Sequence, residues 1–200
     1  MLCKRPSLQN AVFPTFDPAV HVCEKANLSG QLWLGVDFGF AAPFVCLWII
    51  GDPEAGCYVI DEYVQPQQTI DQHIEQIRRR SWGYVSHLAC DPAGQSRNDQ
   101  TAMSNIDVLR RSGFRVHAHH SQIVDGIELI RRALRPASGA PALFIHPRCT
   151  ALVRAVQCYR YAPTGSELPI KDGQHDHLID ALRYYFISRE RMGRIEVRRY

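Results

Sequence analysis

Three apolar runs, residues 32–37, 44–50 and 57–64, follow one another with connections too short to hold a helix. Each run has strand length. The stretches between them, residues 39–43 and 51–56, carry the Gly, Pro and Asp that turns require. Strands joined so tightly pair antiparallel, because a parallel return needs a crossover of a dozen residues or more. The sheet of this chain is therefore expected to begin as an antiparallel meander.

Beyond that meander the pattern alternates. Residues 69–80 have helical spacing, with Ile70, Ile74 and Ile77 on one face and Thr69 at the N-cap position. Residues 85–90 read as a strand ending at Asp91, 99–111 as a helix stopped by Gly113, and 114–117 as a strand. Then come a helix over 121–134 stopped by Pro136, a short strand over 142–145 and a helix over 149–159. A small hairpin is expected over 163–171, with Gly165 at its turn, and a long helix over 173–191. Leu178, Ile179, Leu182, Tyr185 and Phe186 form the inner face of that last helix. The order predicts an α/β domain, one mixed central sheet flanked by helices. Residues 1–30 are mixed and Pro-interrupted, with Phe13, Phe16 and Val20 as scattered apolar anchors. The expected division is a lead-in or inter-domain linker over 1–30 and one domain over 31–200.

Composition narrows the class. Hydrophobic residues at 46% and charged residues at 22% of 200 are globular values and exclude disorder along the whole chain. No apolar run approaches the roughly 18 residues of a membrane span. The first six residues lack the apolar stretch of a signal peptide, so a soluble chain with no membrane partner is expected. Seven cysteines form no CxxC pair, and Cys46, Cys57 and Cys90 lie inside apolar runs, which suits a reducing cytosol. Formal net charge is only +3, yet 20 of the 23 basic residues are arginine. All but three of the basic groups lie after residue 70, weakly favouring a polyanionic partner.

The acids carry the chemistry. Asp37 ends an apolar strand and is followed by Phe38-Gly39-Phe40; Asp91 ends another and is followed by Pro92-Ala93-Gly94. Asp176 and Asp180 are four apart on the last helix, hence on one face. Like charges gathered beside a core raise each other's proton affinity, and a divalent cation reverses that penalty. Each acid also has a plainer use. A strand-terminal Asp caps the next turn, and Asp180 lies three residues before Arg183, an ion-pair partner at helical spacing. The order of strand Asp, later strand Asp and C-terminal helix Asp after a three-strand meander resembles that of ribonuclease H-like nucleases and integrases.

Residues 172–184, with Asp176, His177, Asp180, Arg183 and Tyr184, resemble the C-terminal signature of tailed-phage terminase large subunits, in their nuclease domain. Leu34-Gly35-Val36-Asp37-Phe38-Gly39-Phe40 resembles that family's first-strand motif, and Ala89-Cys90-Asp91-Pro92-Ala93-Gly94 its second acidic motif. Shorter likenesses lie at residues 12–16 and 123–127. The resemblance implies a ribonuclease H-like fold and a Mg2+- or Mn2+-dependent endonuclease that cuts concatemeric double-stranded viral DNA during genome packaging. It makes Asp37, Asp91 and Asp180 the metal carboxylates, with Asp176 a further candidate ligand and His177 beside them orienting a water or a ligand. Two divalent cations about 4 Å apart would serve the attacking and leaving oxygens. It further implies an N-terminal ATPase domain, a portal and a small terminase subunit as partners, in the cytoplasm of an infected bacterium. No GxxxxGK[ST] loop occurs, so this chain is expected to be the nuclease half alone.

Basic residues Arg78, Arg79, Arg80, Arg110, Arg111, Arg131, Arg132, Lys171 and Arg183 are candidate DNA contacts, although most lie near helix ends, where they also suit the helix dipole. His117, His119, His120, His175 and His177 have no cysteine at zinc-ligand spacing and are expected as exposed polar groups. Of Asp61 and Glu62, strand alternation allows at most one to face the site. Two other readings stay open: a resolvase- or transposase-like nuclease of the same fold, and a non-catalytic module that binds DNA or docks the motor on its portal.

Overall fold

β1 (Gln31–Asp37), β2 (Phe44–Asp52) and β3 (Gly56–Gln65) form the expected meander. β1 and β2 pair antiparallel from Gln31↔Gly51 to Asp37↔Val45, and β2 pairs antiparallel with β3 across a bulge at Trp48/Ile49. β4 (His87–Cys90) lies parallel to β1, β5 (Arg115–Ala118) parallel to β4, and β6 (Leu143–Ile145) parallel to β3. The strand order is β5-β4-β1-β2-β3-β6. This is a mixed six-stranded sheet. The computed structural model describes residues 10–26, 29–52, 55–85, 87–97, 102–135, 139–163 and 167–197, with side chains up to residue 193.

Among the described residues six helices flank the sheet: α1 (Pro18–His21), α2 (Ile70–Arg79), α3 (Asn105–Arg111), α4 (Ile123–Leu134), α5 (Thr150–Cys158) and α6 (Asp176–Val197). Strand alternation sorts the core into two layers. Leu34, Val36, Cys46, Trp48 and Leu88 pack with Ile74 and Ile77 of α2 and Ile106 and Leu109 of α3. Trp33, Val45, Leu47 and Ile49 face the other way, towards Ile127 and Ile130 of α4, Leu152 of α5 and Leu178, Ala181 and Leu182 of α6. The six described cysteines are free thiols, with Cys46, Cys57, Cys90 and Cys149 buried; Cys3 lies outside the described residues. Among the described residues no helix is long and apolar enough to cross a membrane.

Several boundaries differ from the sequence expectation, each for a local reason. Thr69 caps α2 as expected, in a reciprocal capping box with Gln72. α3 begins at Asn105 rather than 99, because Ser104 and Asp107 form a second capping box there; residues 98–101 lie outside the described residues. β4 begins at His87, two residues later than expected, and Ser86 is not described. α6 begins at Asp176 rather than 173. Asp172 Oδ1 accepts from the amides of Gln174 (2.9 Å) and His175 (2.8 Å), holding a turn in which Gly173 has φ +69°. The expected hairpin over 163–171 is, in its described part, a single antiparallel bridge between Tyr161 and Pro169; Gly165 lies outside the described residues. The same is true of Pro136, Pro53 and Glu54.

Residues 10–26 pack onto this body. Val12 and Phe13 join the core, Arg131 Nε donates to the Val12 carbonyl at 2.9 Å, and Val22 bridges Ile145 beside β6.

Candidate active site

Register brings the strand acids together. β1 and β4 are parallel neighbours, paired as far as Val36↔Cys90, so the next residue along each chain, Asp37 and Asp91, lies at the same C-terminal end of the sheet. Asp91 Oδ1 accepts from the Ala93 amide at 2.8 Å and caps a short 3-10 turn, Pro92–Gln95. The plainer capping role foreseen for it is thus real, and it fixes the carboxylate at this end. Gly94 in that turn leaves room for Phe38: a Cβ there would come within 2.3 Å of the Phe38 ring. The two acidic motifs are therefore packed against each other.

α6 supplies the rest. It approaches β1 so closely that a Cβ on Gly35 would lie 2.5 Å from the Ala181 carbonyl oxygen. Its first turns then meet this end of the sheet. Asp176 and Asp180 are buried on one face of α6. His177 Nδ1 lies 2.8 Å from Asp37 Oδ2, and Arg183 Nε donates to Asp180 Oδ1 at 3.0 Å. The Asp37 carboxyl is raised to about 6, chiefly by burial, with the His177 hydrogen bond and charge opposing the rise and the charges of Asp180 and Asp91 adding to it. The same bond to Asp37 raises the pKa of His177 against its burial. Asp176 Oδ1 is buried with no hydrogen-bond partner.

An orphaned carboxylate oxygen one helical turn from the Asp180 carboxyl offers hard-oxygen donors, which suit Mg2+ or Mn2+ better than a soft metal. Among the described residues no three His, Cys, Asp or Glu side chains converge on one point as they stand. Asp37 is turned to His177 and Asp180 to Arg183.

The basic candidates do not gather on one surface. Arg78 donates to the Ser112 carbonyl, Arg79 pairs with Glu75, Arg110 lies 4.0 Å from Asp107, and Arg111 meets Met103; all belong to α2 and α3. Arg80 bonds Asp61 at 3.2 Å and lies over Trp48. Arg131 and Arg132 are on α4, across the sheet, where Arg131 bonds Val12 and Tyr161. Lys171 is exposed, and Arg183 is buried. Asp61 and Glu62 are both engaged elsewhere. Asp61 accepts from Trp82 Nε1 at 2.8 Å, and Glu62 accepts from the amides of Ala151 and Leu152 at the start of α5. Sequence reasoning passed over Gly35 and Gly94 as contacts. Their one visible signal was a glycine within, or directly after, an acidic motif.

The terminase RNaseH-like domain family matches residues 34–189, most of the chain and all of the acids above. The chain belongs to that family. No curated protein matches it. Among solved structures, the large terminase of a thermophilic bacteriophage, solved also in complex with ADP, superposes with a TM-score of 0.71 at 20% identity, over 88% of this chain and 44% of that one. The chain thus spans less than half the length of that terminase. The P22 large terminase nuclease domain gives a TM-score of 0.69 at 17% identity, over 90% of this chain and 92% of that one. The large terminase nuclease of another thermophilic phage, G20c, solved with bound magnesium, gives 0.58 at 14% identity, over 88% and 96%. At these identities the likeness establishes the fold. The sheet and its helices are those of a ribonuclease H-like terminase domain.

Proposed function

We propose that this chain is the nuclease domain of a viral packaging terminase, a divalent-metal-dependent endonuclease that hydrolyses phosphodiesters of concatemeric double-stranded DNA. The observation that carries the reading is that the Asp37 carboxyl, at the end of β1, feels the charges of both Asp91 and Asp180, while Asp176, one turn before Asp180 on α6, carries an orphaned buried oxygen. Buried like charges without a cation would be a net loss of stability. Two Mg2+ or Mn2+ ions held by these four carboxylates would supply charge stabilisation for both the entering and the leaving oxygen of the phosphodiester.

The chain's own residues prepare that site. β1 fixes the backbone of Asp37, and the turn that Asp91 caps directly after β4 fixes that of Asp91, so both carboxylates start from the C-terminal ends of neighbouring parallel strands. His177 holds the Asp37 carboxylate through Oδ2 and stands ready to orient a water once that bond is released. Magnesium bound to the G20c nuclease supports the choice of a divalent cation. In this reading residues 31–200 are the nuclease unit and residues 1–30 the connection to an ATPase domain, within a chain of the length of the ADP-bound phage terminase. A portal and a small subunit would be the further partners, in the cytoplasm of an infected host.

The test is nicking and linearisation of supercoiled plasmid by the wild type, Asp37→Ala and Asp180→Ala, in Mn2+, in Mg2+ and in EDTA. Metal-dependent cutting that both substitutions abolish is the expected result. Cutting that survives Asp180→Ala would move the helix ligand to Asp176. A wild type inert in either metal at high enzyme would favour a non-catalytic docking module.

A further inference from the structure

We infer that Arg183, threaded across Gly126 of α4, is a positioning residue that fixes the Asp180 carboxylate for a divalent cation, and that Gly126 is the socket this requires; the inference rests on the nuclease reading above.

Asp180 and Arg183 are three residues apart on α6, a spacing that on a solvated helix face contributes only a few tenths of a kcal/mol. Here the pair is not solvated. Arg183 is 5% exposed, and its guanidinium is gripped from three sides. Nε donates to Asp180 Oδ1 at 3.0 Å, one terminal nitrogen donates to Ser121 Oγ at 3.2 Å, and the group lies 4.5 Å from the centre of the Tyr184 ring. Burial works against the charged guanidinium, but Asp180, with Tyr184 and Asp91 behind it, outweighs that effect, and its pKa is raised. A group held this way is not available to reach a phosphate. Its single bond to Oδ1, in place of a two-pronged fork, leaves Oδ2 of Asp180 for another partner.

The stem explains the glycine. A Cβ at position 126 would lie 1.9 Å from Arg183 Cγ and 2.4 Å from Cδ, so no larger residue fits while Arg183 keeps this path. Glycine inside a helix sacrifices about 1 kcal/mol relative to alanine. α4 accepts that loss at the one point where the arginine passes. A buried ion pair adds little net stability but fixes geometry well, which is what a ligand carboxylate needs.

Calorimetric titration of Mn2+ tests this without reference to cutting. The proteins are the wild type, Asp37→Ala, Arg183→Ala, Arg183→Lys, Gly126→Ala and the double variant Gly126→Ala/Arg183→Ala, each first shown to be folded by its unfolding midpoint. Removing a group that orients a metal ligand weakens metal affinity about 10- to 100-fold. That loss is expected for Arg183→Ala and for Gly126→Ala, with a smaller one for Arg183→Lys, which keeps the charge. In the double variant the second change adds nothing, because alanine at 183 has no Cγ to expel. Folded Arg183→Ala with wild-type Mn2+ affinity overturns the inference, as does a Gly126→Ala loss that persists in full on the Arg183→Ala background. Should Arg183→Ala not fold, Arg183→Lys and Gly126→Ala carry the same comparison, and unchanged affinity in both overturns it. A wild type that binds no Mn2+, with Asp37→Ala no different, overturns the nuclease reading itself and this inference with it.

Discussion

Gly35 of β1 lies directly against the backbone of Ala181 in α6: a methyl group at position 35 would sit 2.5 Å from the Ala181 carbonyl oxygen. This close approach sets the height of α6 above the sheet. Two residues on from Gly35 is Asp37; one residue before Ala181 is Asp180, and four before it is His177. The separation of the strand acid from the helix acids is thus governed by the absence of one side chain.

Gly35→Ala is expected to lift α6 off β1. The group it meets is a main-chain carbonyl, which cannot swing aside, so the loss should fall at the upper end of overpacking, about 3 kcal/mol. For a domain of this size that lowers Tm by roughly 6–12 °C. Pairing it with Ala181→Gly discriminates the cause. The clash is with backbone, so shortening the side chain at 181 should restore nothing; recovery of Tm in the double variant would mean that side chains were in conflict instead.

Glu62 is expected to matter for stability and not for metal. Its two oxygens accept from the Ala151 and Leu152 amides at 2.9 and 2.8 Å, while Cys149 at the N-cap of α5 makes no side-chain cap bond. Glu62→Ala strips two amides of their acceptors and should lower unfolding stability by about 1–2 kcal/mol, read from the denaturant midpoint. Mn2+ affinity should not move. A folded Glu62→Ala protein of unchanged stability but weakened Mn2+ binding would instead make Glu62 a ligand.

What the sequence made legible was what local pattern controls. Thr69 caps α2 because the cap and its reciprocal partner are three residues apart. Asp37 and Asp91 could be singled out because each ends an apolar run, and Asp176 and Asp180 because helical spacing puts them on one face. Contacts formed across long sequence distances were not legible. Glu62 caps a helix that begins 88 residues later, and Asp61 is held by Arg80 and Trp82 of the segment after α2. The run Arg78-Arg79-Arg80 looks uniform in sequence, yet its members bond a carbonyl, a glutamate of the same helix and a buried aspartate. Arg183 resembled a surface ion-pair partner, because nothing local reveals that Gly126, 57 positions earlier, clears a path for it. At the start of α6 a local competitor prevailed: the Asp172 side chain takes two amides that would otherwise extend the helix.

His117, expected to be exposed, instead stacks on His87 where β4 meets β5, and acid should loosen the pair. His87 Nδ1 and His117 Nε2 are 3.0 Å apart, and both rings lie within 5 Å of the Trp33 ring centre, at 4.7 and 4.9 Å. Such a bond needs one N–H and one lone pair, so the pair cannot be doubly protonated. Burial, then the neighbouring charges of His87, His119 and Arg115, lower the His117 pKa from 6.5 to about 4. Burial with Arg115 and Arg189 lowers that of His87 as well. Between about 4 and 6.5 the unfolded chain therefore binds a proton at position 117 that the folded chain refuses, and stability rises with pH across that window. Its contribution is complete above 6.5 and is lost as pH falls towards 4. His117 is only half-buried, so the loss between pH 7 and pH 5 should be on the order of 1 kcal/mol. Denaturant unfolding of the wild type and His117→Phe at both pH values checks this. The phenylalanine ring keeps the stack and cannot titrate, so its loss on acidification should be smaller by that amount. Equal losses in the two proteins would mean that the acid sensitivity lies elsewhere.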